Sequence, residues 1–127
     1  MKLKLSQMEL ANIALGELTK VRLDSTTSFA LTDFVLDVFK PKYVADTQER
    51  QKIYIEYAKK DDKGNPIINA KGNFDIEDQK AFDEEMTKYG NIEIELPFKV
   101  IERSTLNGRD ITPNVLIALT DLGFVKK

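Results

Sequence analysis

The 127-residue chain has a formal net charge of −2, from 19 basic and 21 acidic residues, and it contains neither cysteine nor histidine. A chain of this length fits one domain with a hydrophobic core, and its balanced charge makes nucleic acid or an anionic membrane an unfavoured partner. The missing cysteine and histidine exclude disulfides, thiolate nucleophiles and imidazole bases, so enzyme chemistry would depend on carboxylates, lysine, tyrosine, serine and threonine.

The N-terminal segment alternates lysine and leucine, which predicts a short, half-buried strand over residues 2–5. Ser6 and Glu9 have the spacing of a capping box, in which both side chains would accept backbone N–H groups at the start of a helix. Apolar residues then recur every three or four positions, so we predict a first helix from about 7 to 20. Acidic residues interrupt this segment too often for a signal peptide or a membrane span, and we expect a soluble cytosolic product.

The second helix is predicted to start within the cluster of capping residues at 24–28. Apolar residues from Phe29 to Phe39 nearly encircle this helix, so we expect it at the centre of the core. Pro41 lacks a backbone donor and should kink the helix or split it in two. Beyond Pro41 the sequence is mostly polar and leaves only a thin apolar seam, a pattern typical of a helix that extends into solvent. The seam consists of Tyr43, Ile53, Tyr54 and Tyr57.

Two turn signals follow in the same letters, Lys63-Gly64-Asn65 and Lys71-Gly72-Asn73. A calcium loop of the EF-hand type would place lysine at ligand positions in either register, and the phosphate-binding loop pattern is absent. We therefore interpret this stretch as a pair of turns around residues 66–69 that connects two helices.

The helix after these turns is predicted over 76–89, with Asp75 as its N-cap and Gly90 as a left-handed residue at its end. It has a narrow apolar stripe, and we expect that stripe to pack on the seam of the second helix. Residues 43–90 would then form an antiparallel helical hairpin whose tip holds the two turns. The stripe consists of Phe82, Met86 and Tyr89.

The clearest strand is predicted over 92–100, where every even position is apolar. Pro97 cannot donate to a ladder, so this strand should lie at an edge, and we expect it to pair with the first strand. Asn107-Gly108 predicts a turn. A last helix should run from Pro113 to about Asp121 and end at Gly123.

The predicted hairpin carries the residues that we consider for function. Its tyrosines could anchor an interface, although a seam between the two helices explains them better. The acidic run from Asp75 to Glu85 could imitate a phosphate backbone or hold a metal ion, whereas a solvated helix face is the simpler interpretation. No catalytic, cofactor-binding or metal-binding residue is predicted. The candidate interface consists of Tyr43, Tyr54, Tyr57, Asn65, Pro66, Ile67, Ile68, Asp83 and Glu84.

The order of these parts resembles a family of small proteins of unknown function from tailed phages and prophages of Gram-positive bacteria. The resemblance rests on the lysine- and leucine-rich start, the first helix, a second helix that runs into KIYIEYAKKD, the turns DDKGNPIINAKGNF, a short acidic helix and the strand NIEIELPFKV. It spans Met1 to about Val100 and includes no catalytic signature. It implies a phage origin and a helical-hairpin architecture, and it assigns no site residues. The Pro41 interruption and the aromatic first half of the second helix depart from the family's pattern.

We therefore predict an α+β fold in one domain over 1–127, with helices packed on a small sheet and with 43–90 as a projecting helical-hairpin arm. We expect a non-enzymatic phage module for protein–protein interaction that uses no cofactor, either a virion or assembly component or a factor directed at a host protein. Its partner would be a second copy in a homo-oligomer, a phage structural protein or a host protein, in the host cytoplasm or in the virion. The alternative is a metal-dependent carboxylate enzyme or an accessory protein directed at nucleic acid.

Overall fold

The fold is α+β, as the sequence predicts, with helices packed around a two-stranded antiparallel sheet. The structure is a computed structural model that describes residues 1–127. The elements are β1 (Lys2–Lys4), a 3-10 turn (Leu5–Gln7), α1 (Met8–Leu18), α2 (Ser25–Asp33), a π-helical segment (Phe34–Phe39), α3 (Lys40–Tyr57), α4 (Gln79–Gly90), β2 (Glu93–Glu95), a second 3-10 turn (Arg103–Leu106) and α5 (Pro113–Leu122).

The sheet joins the N-terminal segment to the segment after α4. Leu3 lies opposite Ile94, and the two lysines of β1 lie opposite the two glutamates of β2. The predicted pairing of these strands is therefore confirmed. The N-terminal ammonium adds a further link, since it donates a hydrogen bond to the carbonyl of Leu96 at 2.9 Å.

The strand predicted over 92–100 is much shorter in the structure. The ladder ends at Glu95, and beyond it only Leu96 bonds to the N-terminal segment, with its N–H donating to the carbonyl of Met1 at 2.8 Å. Pro97 has no N–H with which to extend it. From Pro97 to Val100 the backbone forms no hydrogen bond to other backbone groups. Ile101 then pairs in parallel with Val125, close to α5.

The core lies between the sheet, α1, α5 and the π-helical segment. It is one cluster of 16 buried residues, and none of them lies between Lys40 and Glu95. At its centre the rings of Phe34, Phe98 and Phe124 meet, with centroids 4.6 to 6.1 Å apart. The two ends of the sequence therefore build the core, and the middle contributes little to it.

The second helix is less central than its composition predicts. Asp24 caps it as expected and accepts a hydrogen bond from the backbone N–H of Thr27 at 2.9 Å. Leu31 is buried, but Phe29 is 71% exposed. The expectation that Phe29 belongs to the core is wrong, because α2 lies on the surface of the core and only one of its faces reaches it.

The chain remains helical through Pro41, so of the two predicted outcomes, a kink or a split, the split does not occur. The helix widens into the π-helical segment directly before the proline, where the N–H of Lys40 donates to the carbonyl of Val35, five residues earlier. A wider turn relieves the clash that a proline ring makes with the preceding α-helical turn. The interruption that the sequence predicts is thus a local change of hydrogen-bond pattern.

Helices α3 and α4 lie side by side and run antiparallel. Tyr54, near the end of α3, contacts Phe82, near the start of α4, with ring centroids 4.9 Å apart. Tyr89, near the end of α4, donates a hydrogen bond to the carboxylate of Asp46, near the start of α3, at 2.7 Å. Contacts at both ends therefore fix the two helices against each other.

The ends of α4 differ from the prediction. Its N-cap is Asp78 and not Asp75, since the carboxylate of Asp78 accepts the N–H of Ala81 at 3.1 Å. Gly90 is the last helical residue and does not adopt a left-handed conformation. A β-carbon at Gly90 would lie 3.1 Å from the β-carbon of Ser6. Gly90 is therefore a close-packing position, where α4 approaches the first 3-10 turn.

The last helix agrees with the sequence. It starts at Pro113 after Thr112, and it ends at Gly123, whose φ of 91° is the left-handed conformation that glycine tolerates. Asn107-Gly108 forms the predicted turn, closed by a hydrogen bond from the N–H of Arg109 to the carbonyl of Leu106 at 3.1 Å.

Candidate functional site

The predicted interface residues are distributed along α3, the connection that follows it and α4. Tyr43 and Tyr57 lie at opposite ends of α3, about 21 Å apart by the helical rise. The four residues of the turn region lie beyond the end of α3, and the two acidic residues are exposed on α4. In chain order the set is Tyr43, Tyr54, Tyr57, Asn65, Pro66, Ile67, Ile68, Asp83 and Glu84.

Residues 58–76, which make up most of the connection between α3 and α4, form a cap on the two helices that we call the tip. Three backbone hydrogen bonds close a ring within it: Lys59 N–H to the carbonyl of Asp75 at 2.7 Å, Ile67 N–H to Lys59 at 2.8 Å, and Asp75 N–H to Ile67 at 3.0 Å. Each of these residues donates to one neighbour and accepts from the other. The tip is thus a three-membered arrangement of short extended segments.

The ring has an approximate three-fold repeat with a period of eight residues. Outside the ring, Asp61 N–H donates to the carbonyl of Asn65 at 2.9 Å, and Asn69 N–H donates to that of Asn73 at 2.8 Å. The third equivalent bond, at 3.0 Å, runs from the N–H of Glu77 to the carbonyl of Tyr57. The ring therefore has three equivalent corners. Two of them are turns, and at the third the chain arrives from α3 and leaves toward α4.

The two turns are built in the same way. In the first, the side chain of Asp61 accepts the N–H groups of Lys63 and Asn65, both at 2.9 Å. In the second, Asn69 accepts the equivalent N–H groups at 3.0 and 3.1 Å. Gly64 and Gly72 supply the left-handed residue, with φ of 79° and 81°. The interpretation as two turns is confirmed, and the repeated Lys-Gly-Asn letters are its sequence signal.

The closed ring limits how another molecule could contact the tip. Short strands usually expose an unpaired edge to which a further strand can add. Here Lys59, Ile67 and Asp75 each direct both N–H and C=O groups into the ring. Recognition of the tip would therefore use side chains, and Ile68 is the most exposed apolar one, at 60%.

Tyr54 and Tyr57 lie in the seam between α3 and α4. Both rings contact Phe82, with centroid distances of 4.9 and 6.2 Å. Burial raises the pKa of Tyr57, and the nearby acidic side chain of Glu85 adds to this rise. These contacts favour the structural interpretation of the two tyrosines, although Tyr54 remains 37% exposed at the edge of the seam.

Tyr43 connects the base of α3 to the body. Its hydroxyl donates to the carboxylate of Glu9 at 2.5 Å, and this hydrogen bond raises the pKa of Tyr43.

Glu9 therefore does not complete the capping box that its spacing with Ser6 predicts. Gln7 instead accepts the N–H of Lys4 at 2.9 Å, which places the capping box two residues earlier in the chain.

Asp46 is the one buried charged residue of the chain, at 6% exposure. Its two carboxylate oxygens share the single N–H of Arg50 Nε, at 3.0 and 3.2 Å, and one of them also accepts the hydroxyl of Tyr89 at 2.7 Å. Arg50 also donates to the carbonyl of Leu5 at 2.7 Å and lies over the ring of Tyr89. This group, which we call the Asp46 cluster, joins α3, α4 and the first 3-10 turn.

The Asp46 cluster was not among the predicted site residues. Burial, followed by the hydrogen bond to Asp46, raises the pKa of Tyr89, so this hydroxyl stays protonated as a donor. No buried polar side-chain atom of the protein lacks a hydrogen-bond partner, as expected where a buried ion pair has a structural role. The sequence holds one signal of it, the spacing of four between Asp46 and Arg50 within α3.

The acidic residues of the arm do not converge. Asp78 is used as a helix cap, and Asp83 accepts a hydrogen bond from the side chain of Gln79 at 2.9 Å. No three carboxylates lie close enough together to hold a metal ion. The carboxylates spread along α4 and the tip, as expected of a solvated helix face.

Comparisons of the chain with protein-family models, with curated proteins and with solved structures find no match. None of its helices combines the length and the apolar character that crossing a membrane requires.

Proposed function

We propose that this chain is a non-enzymatic, phage-encoded module for protein–protein interaction, and that α3, the tip and α4 project from the body as an arm that carries the interface. The observation that supports this most is the distribution of the core, to which residues between Lys40 and Glu95 contribute no buried member. An arm with so small a share in the core is an inefficient way to stabilise a domain. Its ordered and exposed tip supports a role in contact with another molecule.

The form of the tip favours a protein partner. A closed ring and two glycine turns hold its backbone in place, so little conformational entropy is lost when it binds. Ile68, at 60% exposure, and Ile67, at 37%, give it an apolar centre among charged side chains. An apolar centre with a polar rim is the usual composition of a protein interface.

The proposed partner is a second copy, a phage structural protein or a host protein, in the host cytoplasm or the virion. The phage assignment depends on the resemblance of the sequence pattern alone. The alternative, a metal-dependent carboxylate enzyme or an accessory protein directed at nucleic acid, has less support, because the carboxylates of α4 spread over an exposed face and the net charge is −2.

A matched pair of substitutions tests the arm. Ile68→Ser changes the tip, and Ile13→Ser makes the same change on α1 at a similar exposure, 60% against 56%. If the arm carries the interface, Ile68→Ser should weaken self-association in sedimentation, or capture of a partner from phage-infected cells, and Ile13→Ser should leave both unchanged. Equal behaviour of the two variants would count against the proposal.

A shortened arm provides a second test. Lys59 and Asp75 face each other across the ring, so replacing residues 60–74 with Asn-Gly should close the arm as a two-residue hairpin. The expected result is a folded protein that no longer associates. A thermal-shift screen of the full chain with divalent metals and nucleotides tests the alternative, since a specific ligand would raise the melting temperature by mass action.

A further inference from the structure

A cleft of about 450 Å³ lies on the body, between the second 3-10 turn and α5. No residue of α3, the tip or α4 lines it. Its apolar walls include Ile111, Leu116 and Ile117, and two exposed arginines, Arg103 and Arg109, also line it. A concave surface of this volume, lined by apolar residues and a few charged ones, has the usual form of a small-ligand site.

Neither arginine of the cleft forms an ion pair with a carboxylate of the protein. Arg103 donates from Nε to the carbonyl of Lys126 at 3.0 Å, which positions the side chain and leaves its terminal amino groups free. The pKa of Asp24 is held below its usual range mainly by hydrogen bonds from Thr27. The charge of Arg109 lowers this pKa by a smaller amount, from a distance and without an ion pair. Two guanidinium groups are therefore available to an incoming anion.

The third charged residue of the cleft, Asp121, restricts the choice of anion. Its carboxylate would repel a doubly charged phosphate more strongly than a singly charged group. Guanidinium groups bind a carboxylate through paired, parallel hydrogen bonds, and the apolar wall at Ile117 would cover an aliphatic chain. We propose that this cleft binds a small aliphatic carboxylate, with its headgroup at Arg103 and Arg109 and its chain along Ile117. This site is independent of the arm and of its proposed interface.

The test uses the full chain and titration followed by amide NMR shifts. Octanoate is the ligand, octylammonium has the same chain with the opposite charge, and acetate has the headgroup alone. Octanoate should shift the amides around Asn107 and Ile117 saturably, whereas octylammonium and acetate should bind at least about tenfold more weakly, because each lacks one of the two contacts. Binding of octylammonium as tight as that of octanoate would overturn the proposal.

Substitutions separate the roles of the charged residues. Arg103→Gln and Arg109→Gln should each weaken octanoate binding about tenfold through loss of a charge-assisted contact, and Asp121→Asn should tighten it. Arg22→Gln, at an exposed arginine outside the cleft, is the control and should change nothing. Unchanged amide shifts outside the cleft would verify that each variant is folded. Shifts that map to another surface, or equal affinity in all four variants, would refute the assignment.

Discussion

The Asp46 cluster should be the largest single polar contribution to the attachment of the arm. Asp46→Asn keeps the shape of the side chain but removes the negative charge that faces Arg50, and it places an amide donor where the carboxylate accepted hydrogen bonds. The side chain of Asp46 is 5% exposed, so water cannot replace the lost contacts there, whereas that of Arg50 is 30% exposed and regains part of its hydration.

The magnitude follows from these contacts. A hydrogen bond to a charged group contributes about 1.5–3 kcal/mol, and removal of one partner of a fully buried ion pair costs about 3–5 kcal/mol. Because Arg50 is only partly buried, we expect Asp46→Asn to lower the free energy of unfolding by about 2 kcal/mol. The carboxylate has two donors, Arg50 and Tyr89, and Tyr89→Phe removes the second of them and should cost about 1 kcal/mol.

Urea denaturation, followed by far-UV circular dichroism, measures both changes. The control is Glu49→Gln in the same helix, where the pair with Lys52 is exposed at 53% and 72% and should contribute at most about 0.5 kcal/mol. The double variant of Asp46 and Tyr89 should cost less than the sum of the single variants, since both remove the same hydrogen bond. If Asp46→Asn is no more destabilising than Glu49→Gln, the cluster does not hold the arm and the reasoning fails.

Three further predictions concern the turns, the close helix contact and pH. Gly64→Ala and Gly72→Ala should destabilise the tip equally, by about 1–2 kcal/mol each, because both residues have the same left-handed conformation. Amide exchange in the tip measures this destabilisation, and unequal effects of the two substitutions would contradict the repeat. Gly16→Ala, with no atom near its new β-carbon, should stabilise the protein in thermal unfolding by about 0.5–1 kcal/mol, whereas Gly90→Ala should lose that gain through its contact at 3.1 Å. Because the pKa of Tyr89 is raised in the folded protein, the unfolded chain loses the hydroxyl proton first as the pH rises above 10. The free energy of unfolding should therefore fall with rising pH in this range, and it should fall less in Tyr89→Phe.

The sequence by itself determines the local structure where a backbone conformation or a hydrogen bond requires one kind of residue. Asp24 accepts the backbone N–H of Thr27, so the cluster of capping residues at 24–28 starts a helix as its composition predicts. Gly123 ends α5 because a left-handed residue is required there. The alternation of Lys and Leu beside that of Glu and Ile sets which faces of β1 and β2 are buried, so their pairing could also be predicted.

Tertiary structure decides what depends on a neighbour far away in the sequence. Phe29 has the same apolar character as Phe34, but only Phe34 lies on the face that meets the core. Gly90 resembles a helix terminator, and it is the approach of Ser6 that makes it a packing position. The acidic residue that matters most, Asp46, differs from its neighbours only in being covered by Tyr89.

The tip and the cleft illustrate the same limit. The two turns can be read from their repeated letters, but the ring closes only because α3 and α4 bring Lys59 and Asp75 together at its third corner. Arg103 and Arg109 are ordinary surface residues in the sequence, and they line one cleft because the 3-10 turn and the Asn107-Gly108 turn place both beside α5. A one-dimensional pattern specifies caps and turns through bonds within a few residues, whereas a site requires the three-dimensional meeting of side chains that only packing creates.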